Sequence, residues 1–413
     1  MRTRVRAVVG RSALVLSVLR VMARGASLAS TNDLVAAYAL RRGLSTNYLG
    51  LVVPPRCGNA KAACQYTVAV LATVRFALAF LAAGLLAACG AGTPISSGTP
   101  TPAPTLPPTV TSQYPIPTAS SDPVGIALGA DGNIWVTEFR ASKMAQLNTG
   151  GKISESVTPS KKAGPNGIAS GPGPNLNVWF TETNIGKVAQ ITVTGPPYTE
   201  YTLPDPAAKP AAIALGSDGA MWVADIGTNS IWRVQQLHVK PHVRFTQYKL
   251  TGNAQPDAIT NGPDGALWFT EPGTNSIGRL PVSGYPLREY QIPTADSEPA
   301  GIATATDNAL WFTEKKGLKI GRIATTGVIT AEYPLTGAVT PDALVQGIDG
   351  NFYFTDTMKN KMGQFFFKTH KVAFYRIPTA NSEPTTLTLG LDSQIYFVES
   401  AGNKIGQFRY FNV

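Results

Sequence analysis

Leu267-Trp268-Phe269-Thr270-Glu271, set between the pair Asp264-Gly265 and the run Ser276-Ile277-Gly278-Arg279, is the stretch on which the fold turns. It is apolar on both faces, which a half-exposed sheet avoids and a sheet stacked between two others requires. The Asp-Gly pair ahead of it is hairpin chemistry, read as a two-residue turn with positive φ. Working outward, the same unit recurs with its central aromatic at Trp135, Trp179, Trp222, Trp268, Trp311, Tyr353 and Tyr396, at intervals of 42 to 46 residues. A period in the low forties, rich in short β signals, marks the blades of a propeller.

Each unit carries four strand-like pieces. The innermost opens at Pro123, Pro165, Pro210, Pro256, Pro299, Pro341 or Pro384, and two residues on stands Gly125, Gly167, Ala212, Ala258, Gly301, Ala343 or Thr386. Small side chains suit that position because blades converge toward an axis. The outermost piece, as in Glu289-Tyr290-Gln291-Ile292-Pro293, tolerates proline as an edge strand does. An outer-strand motif, Gln113-Tyr114-Pro115-Ile116-Pro117, precedes the first inner strand, and the chain stops after the third strand of the last unit. The expected fold is therefore an all-β, seven-bladed propeller of four-stranded antiparallel blades, closed by the N-terminal outer strand completing the last blade.

The formal charge of +10 belongs to the N-terminal part. Residues 1–88 hold 11 Lys and Arg against the single acid Asp33, and the rest carries 24 of each sign. No basic face for nucleic acid is implied. Cys57, Cys64 and Cys89 all precede the repeats, so the propeller has no thiol for a disulfide or a soft metal. Arg75, the apolar run from Phe76 and the small residues before Cys89 read as a secretory signal over 74–88. Leu86-Ala87-Ala88-Cys89 resembles a bacterial lipobox, which implies lipidation at Cys89 and an exported protein anchored to a membrane, facing the periplasm or the cell surface. A short transmembrane anchor is the other reading of that stretch. Residues 1–73 are an N-terminal extension or follow from a start placed too early; 89–112 form a Pro/Thr/Ser-rich tether, and 113–413 the propeller.

The combination Pro-x-Gly-Ile, Leu-Trp-Phe-Thr-Glu, Asn-x-Ile-Gly-Arg and Glu-Tyr-x-Ile-Pro resembles the streptogramin (virginiamycin B) lyase family across 113–413. That resemblance implies a carbon–oxygen lyase opening type B streptogramins by elimination at an ester, with a divalent metal, usually magnesium. It also implies a histidine after the inner-strand proline in the last two blades, a glutamate before the seventh proline and a tyrosine in the first blade. Here the sixth unit reads Thr340-Pro341-Asp342, the seventh Glu383-Pro384-Thr385, and the first has Val124. Glu383 matches; Asp342 and Thr385 stand where the histidines would, and imidazole is the better-matched base near neutral pH.

Seven residues follow the inner-strand prolines and should ring one mouth of the central channel: Val124, Asn166, Ala211, Asp257, Ala300, Asp342 and Thr385, with Glu298 and Glu383 one step before their prolines. Asn166, Asp257, Asp342 and Glu383 could converge as oxygen ligands for Mg²⁺ or Ca²⁺, or edge a water-filled mouth without an ion. A second ring, Glu138, Glu182, Asp225, Glu271, Glu314, Asp356 and Glu399, recurs in every blade, and regularity argues for structure: acceptors for neighbouring turns, or partners of third-strand Lys and Arg. Of the three histidines, His238, His242 and His370, the first two have a spacing that metal sites use but are expected in the outer hairpin of the third unit, far from the axis, which favours a solvated loop over a zinc site. The expectation is a monomeric propeller binding a small molecule, glycan or protein at its mouth without elimination chemistry. The alternatives are a carbon–oxygen lyase or metal-dependent lactone or ester hydrolase, and a cell-envelope scaffold.

Overall fold

The computed structural model describes residues 108–173, 177–237, 242–337 and 339–410. The signal at 74–88, Cys89, the extension and His238 lie outside the described residues. Seven four-stranded antiparallel sheets follow one another in chain order, spanning 123–157, 165–202, 210–249, 259–291, 299–334, 341–376 and 384–409. They are numbered here as blades 1 to 7. In blade 7 the outermost strand is Thr109–Pro115, paired antiparallel with Lys404–Arg409 so that Tyr114 faces Ile405. The ring is closed as expected. The closing strand begins at Thr109, four residues ahead of the expected boundary, because Thr109 to Ser112 pair with Gln407, Phe408 and Arg409 rather than remaining tether.

The second strands form the core. Ile134–Glu138, Leu267–Glu271 and Phe352–Asp356 are buried along their whole length. The faces of neighbouring blades interlock: Trp222 of blade 3 belongs to one apolar cluster with Leu267 and Phe269 of blade 4. In four blades the outer-strand tyrosine stacks on the central tryptophan of its own sheet, with ring centroids 5.6 to 5.8 Å apart. The turn aspartate explains why the centre is Trp or Tyr rather than Phe. Trp268 Nε1 donates to Asp264 Oδ1 at 3.0 Å, and Tyr353 Oη to Asp349 Oδ2 at 2.7 Å, so these buried rings keep their polar atoms satisfied, whereas Trp179 Nε1 in blade 2 has no partner among the described residues.

The turns differ from the two-residue reading. Only the glycine has positive φ, +79° at Gly132 and +74° at Gly265, and the bonds Gly132 N to Gly129 O and Gly129 N to Asn133 O close a type I turn ending in a left-handed glycine. Asp131 remains outside the left-handed region, which frees its side chain to cap the turn and hold Trp135.

Two further devices stitch blade to blade. An outer-strand glutamate reaches the crossover loop of the blade before it: Glu155 accepts from Thr118 N and Oγ1 (2.8 and 2.7 Å), Glu200 from Ser160, and Glu332 from Thr294. Asn275, with φ +56°, then clamps the same crossover, its Nδ2 donating to Ile292 O and Thr294 O while its Oδ1 accepts from Ser297 N and Oγ. Asn360 and Asn403 repeat the clamp.

Candidate functional site

The inner strands surround a channel of about 420 Å³. Its lining has three tiers. The residues after the prolines form the mouth, the small residues follow, and below them come Ile126, Ile168, Ile213, Ile259 and Ile302 with Leu344 and Leu387. A strand alone would turn only every second residue toward the axis. Six inner strands break register here, as between Pro341 and Leu344, and this bulge brings consecutive residues onto the lining. The small tier is enforced by the neighbouring backbone: a Cβ on Gly167 would stand 2.3 Å from Ala211 O, and one on Gly301 2.6 Å from Asp342 O.

The threonine of the second strand fixes the mouth. Thr313 Oγ1 accepts from Gly301 N at 2.8 Å and donates to Asp342 O of the next blade at 2.6 Å. Thr137, Thr181, Thr270 and Thr355 make the same stitch to the carbonyls of Asn166, Ala211, Ala300 and Thr385 (2.7, 2.8, 2.8 and 2.5 Å), and Thr386 Oγ1 donates to Val124 O. One mouth residue is left out. Blade 3 has Ala224 and blade 7 has Val398 where the other five place threonine; Thr386 makes the contact at the blade 7 junction, but no hydroxyl of the described residues reaches Asp257, and the inner strand of blade 4 starts only at Ile259.

All seven mouth residues predicted from the sequence line this channel, Asp257, Asp342, Asn166 and Thr385 among them. Asp342 is engaged: Lys315 Nζ lies 3.3 Å from Oδ1, and Thr357 Oγ1 donates to Oδ2 at 3.3 Å. Lys315 was not singled out in the sequence, because it lies 27 residues from its partner on another blade. Thr385 Oγ1 is buried with no hydrogen-bond partner among the described residues. Glu383 is exposed on the rim with a strained φ of +50°; Glu298, partly buried, has a φ of +51° and pairs with Lys316 at 2.8 Å. Asp257 is open to channel water but walled by protein on its other sides, and that desolvation, reinforced by Asp342 and Glu298 against Lys315, pushes its carboxyl up to about 6.

The resemblance implies a divalent metal, and of the oxygen set expected for one, Asn166, Asp257 and Asp342 line the channel while Glu383 lies outside that lining. Among the described residues no three His, Cys, Asp or Glu side chains gather as a metal site, and Asp342 is already held by an ammonium group. His242 lies in an outer hairpin turn, and His370 packs at 4.3 Å against the Tyr333 ring, away from the axis.

The strand-end carboxylates are wholly buried. The expected turn contacts hold for Asp225, which accepts from Lys209 N, Gly227 N, Thr228 Oγ1 and Trp232 Nε1, and for Asp356, which accepts from Thr340 N and Lys359 N. The expected pairing with third-strand cations does not form. Lys143 and Lys187 turn instead to Glu155 and Glu200 (3.0 and 2.6 Å), and Arg233 and Arg279 to turn aspartates at 2.7 Å, where partial exposure makes the pair less costly to desolvate. Burial accordingly pushes Glu138 up to about 7 and Glu182, Glu271 and Glu314 to about 8.

A profile of the virginiamycin B lyase family matches residues 107–239 and 235–411. No curated protein sequence matches. Among solved structures, a streptogramin B lyase is 33% identical, covering 73% of this chain and 97% of that one at a TM-score of 0.67. Virginiamycin B lyase from Staphylococcus aureus is similar at 33% identity, 72% and 98% coverage and a TM-score of 0.66. A catalytically inactive histidine-to-alanine variant of that enzyme, with quinupristin, is similar at 34% identity, 72% and 98% coverage and a TM-score of 0.66.

Proposed function

Because the chain belongs to the virginiamycin B lyase family, we propose that it is a binding protein that takes its ligand at the channel mouth and lacks the family's elimination activity. It is further read as exported and held to a membrane by a lipid on Cys89, a reading that rests on the Leu86-Ala87-Ala88-Cys89 pattern. One observation carries the main proposal. The position after the inner-strand proline holds Asp342 and Thr385 in blades 6 and 7, and Asp342 is committed to Lys315 and Thr357. Both oxygens of that carboxylate are occupied by these partners, and no imidazole stands at either position to take a carbon-bound proton. The channel itself remains, with a polar mouth over an aliphatic floor, which is the build of a ligand pocket.

A second reading, a divergent carbon–oxygen lyase, is favoured by the Asp257 carboxyl, whose value of about 6 lets it exchange a proton near neutrality. One experiment separates the two. The full-length protein is incubated with a type B streptogramin and Mg²⁺, and the products are read by mass. The binding reading expects intact macrocycle only, and formation of the linear product overturns it.

A further inference from the structure

Ring symmetry makes departures from it conspicuous, and at one junction the mouth loses its hydroxyl stitch altogether, whereas at the blade 7 junction Thr386 supplies it in place of Val398. Between blades 3 and 4 the threonine stitch is replaced by Ala224, the inner strand is shortened to Ile259–Asn261, and the mouth residue is a carboxylic acid. Asp257 is held through its backbone, N to Thr270 O at 3.1 Å, while no hydrogen bond or ion pair reaches its carboxylate from any described residue. Its counterpart Asp342 is neutralised by Lys315 at 3.3 Å. Asp257 and Asp342 are the charged residues of the channel lining, so the lining carries one unmatched negative charge. Beneath it lies the tier of isoleucines and leucines, which offers nothing to an ion and much to a hydrocarbon.

A carboxylate open to water only through a channel mouth, walled by protein elsewhere and without a partner, carries an electrostatic cost that an incoming cation reduces. A protein built only for stability would cover it, as it covers Asp342. We propose that Asp257 is the anchor for an organic cation, a ligand whose protonated amine pairs with this carboxylate while its apolar body enters the aliphatic tier of the channel. This rests on the reading of the mouth as a binding site and names the chemical class it accepts. The groups acting on Asp257 are Asp342 and Glu298, which oppose its ionisation, and Lys315, which favours it. Cation binding therefore strengthens as pH rises through about 6, where the free carboxyl loses its proton.

The test uses three probes of one shape and different charge, 2-phenylethylammonium, 2-phenylethanol and phenylacetate, titrated by calorimetry or ligand-observed NMR into the full-length protein at neutral pH. The cation is expected to bind at least about 10-fold more tightly than the alcohol, a difference of about 1.4 kcal/mol, with phenylacetate weakest. Asp257→Asn should bring the cation to the level of the alcohol and leave the alcohol unchanged, with an unaltered melting temperature showing that the fold persists. Equal affinity of cation and alcohol in the unmodified protein, or a charge preference that survives Asp257→Asn, overturns the anchor and leaves the mouth as a binding site. Failure of all three probes to bind up to about 10 mM overturns both readings.

Discussion

Two sets of acidic side chains circle the same axis and have opposite fates. The strand-end set has one carboxylate in every blade, all wholly buried, and each is tied into the sheets by donors or has its carboxyl pushed up by burial. The mouth set is irregular, with acids in blades 4 and 6 only, open to water and edged by rim charges. Repetition across blades reflects a demand each blade makes alike, such as capping a turn or filling a wedge. Irregularity on a repeating scaffold reflects a demand made at one place, which is what a ligand imposes. Asp225 and Asp257 show the contrast within 32 residues: the first accepts from four donors and the second from none among the described residues.

The comparison is broken most severely by removing a satisfied member of the regular set. Asp225→Ala strands Trp232 Nε1 and the amides of Lys209 and Gly227, and should lower unfolding stability by roughly 2–4 kcal/mol in a denaturant melt. A loss below 0.5 kcal/mol would remove the structural role assigned to the set.

Next in size is the response to pH. The folded values of Glu138, Glu182, Glu271 and Glu314, about 7 to 8, lie above the ordinary 4.5, so the folded protein holds protons that the unfolded chain has released. Their contribution is complete below about 4.5 and is lost as pH rises through 7 to 8. Glu155 and Glu200 run the other way, lowered by their threonine, serine and lysine donors, and withdraw their support only in acid. The melting temperature should therefore be highest in mildly acidic buffer and fall by at least roughly 5 °C toward pH 8.5. Glu314→Gln should flatten that fall; an unchanged profile would mean that burial is not what sets the proton affinity.

Smaller is the loss of one mouth stitch. Thr313→Val removes the hydroxyl between Gly301 N and Asp342 O and should cost about 1 kcal/mol, with the Asp342 side of the mouth loosened, seen as faster amide exchange there. Smallest is Asp257→Asn, expected to shift stability by less than about 0.5 kcal/mol because nothing in the fold leans on that carboxylate. A large destabilisation by this change would place Asp257 with the structural set and end the distinction.

Much of this was legible in particular residues. The seven central aromatics and the prolines before them count the blades, and Gln113-Tyr114-Pro115 ahead of the first inner strand announces the closing strand. The mouth ring could be named in advance because a propeller assigns the same place to the same position of each repeat. Invisible were the stitches: Thr313 to Asp342, Glu332 to Thr294 and Lys315 to Asp342 join residues 27 to 38 apart whose types are common in any loop. The pairing of third-strand cations was misread for a related reason. Each lysine lies opposite a strand-end acid in register, yet its flexible stem carries the ammonium outward to a better-hydrated partner.

By itself the sequence determined the number of blades, the strand order and the ring's closure, since these depend on local periodicity and turn residues repeated seven times over. Only the tertiary structure decided which carboxylates burial pushes up, which are paired and which is left facing the channel alone. Those properties are energies of desolvation and approach between side chains on different blades, and they have no value until the blades have been brought together.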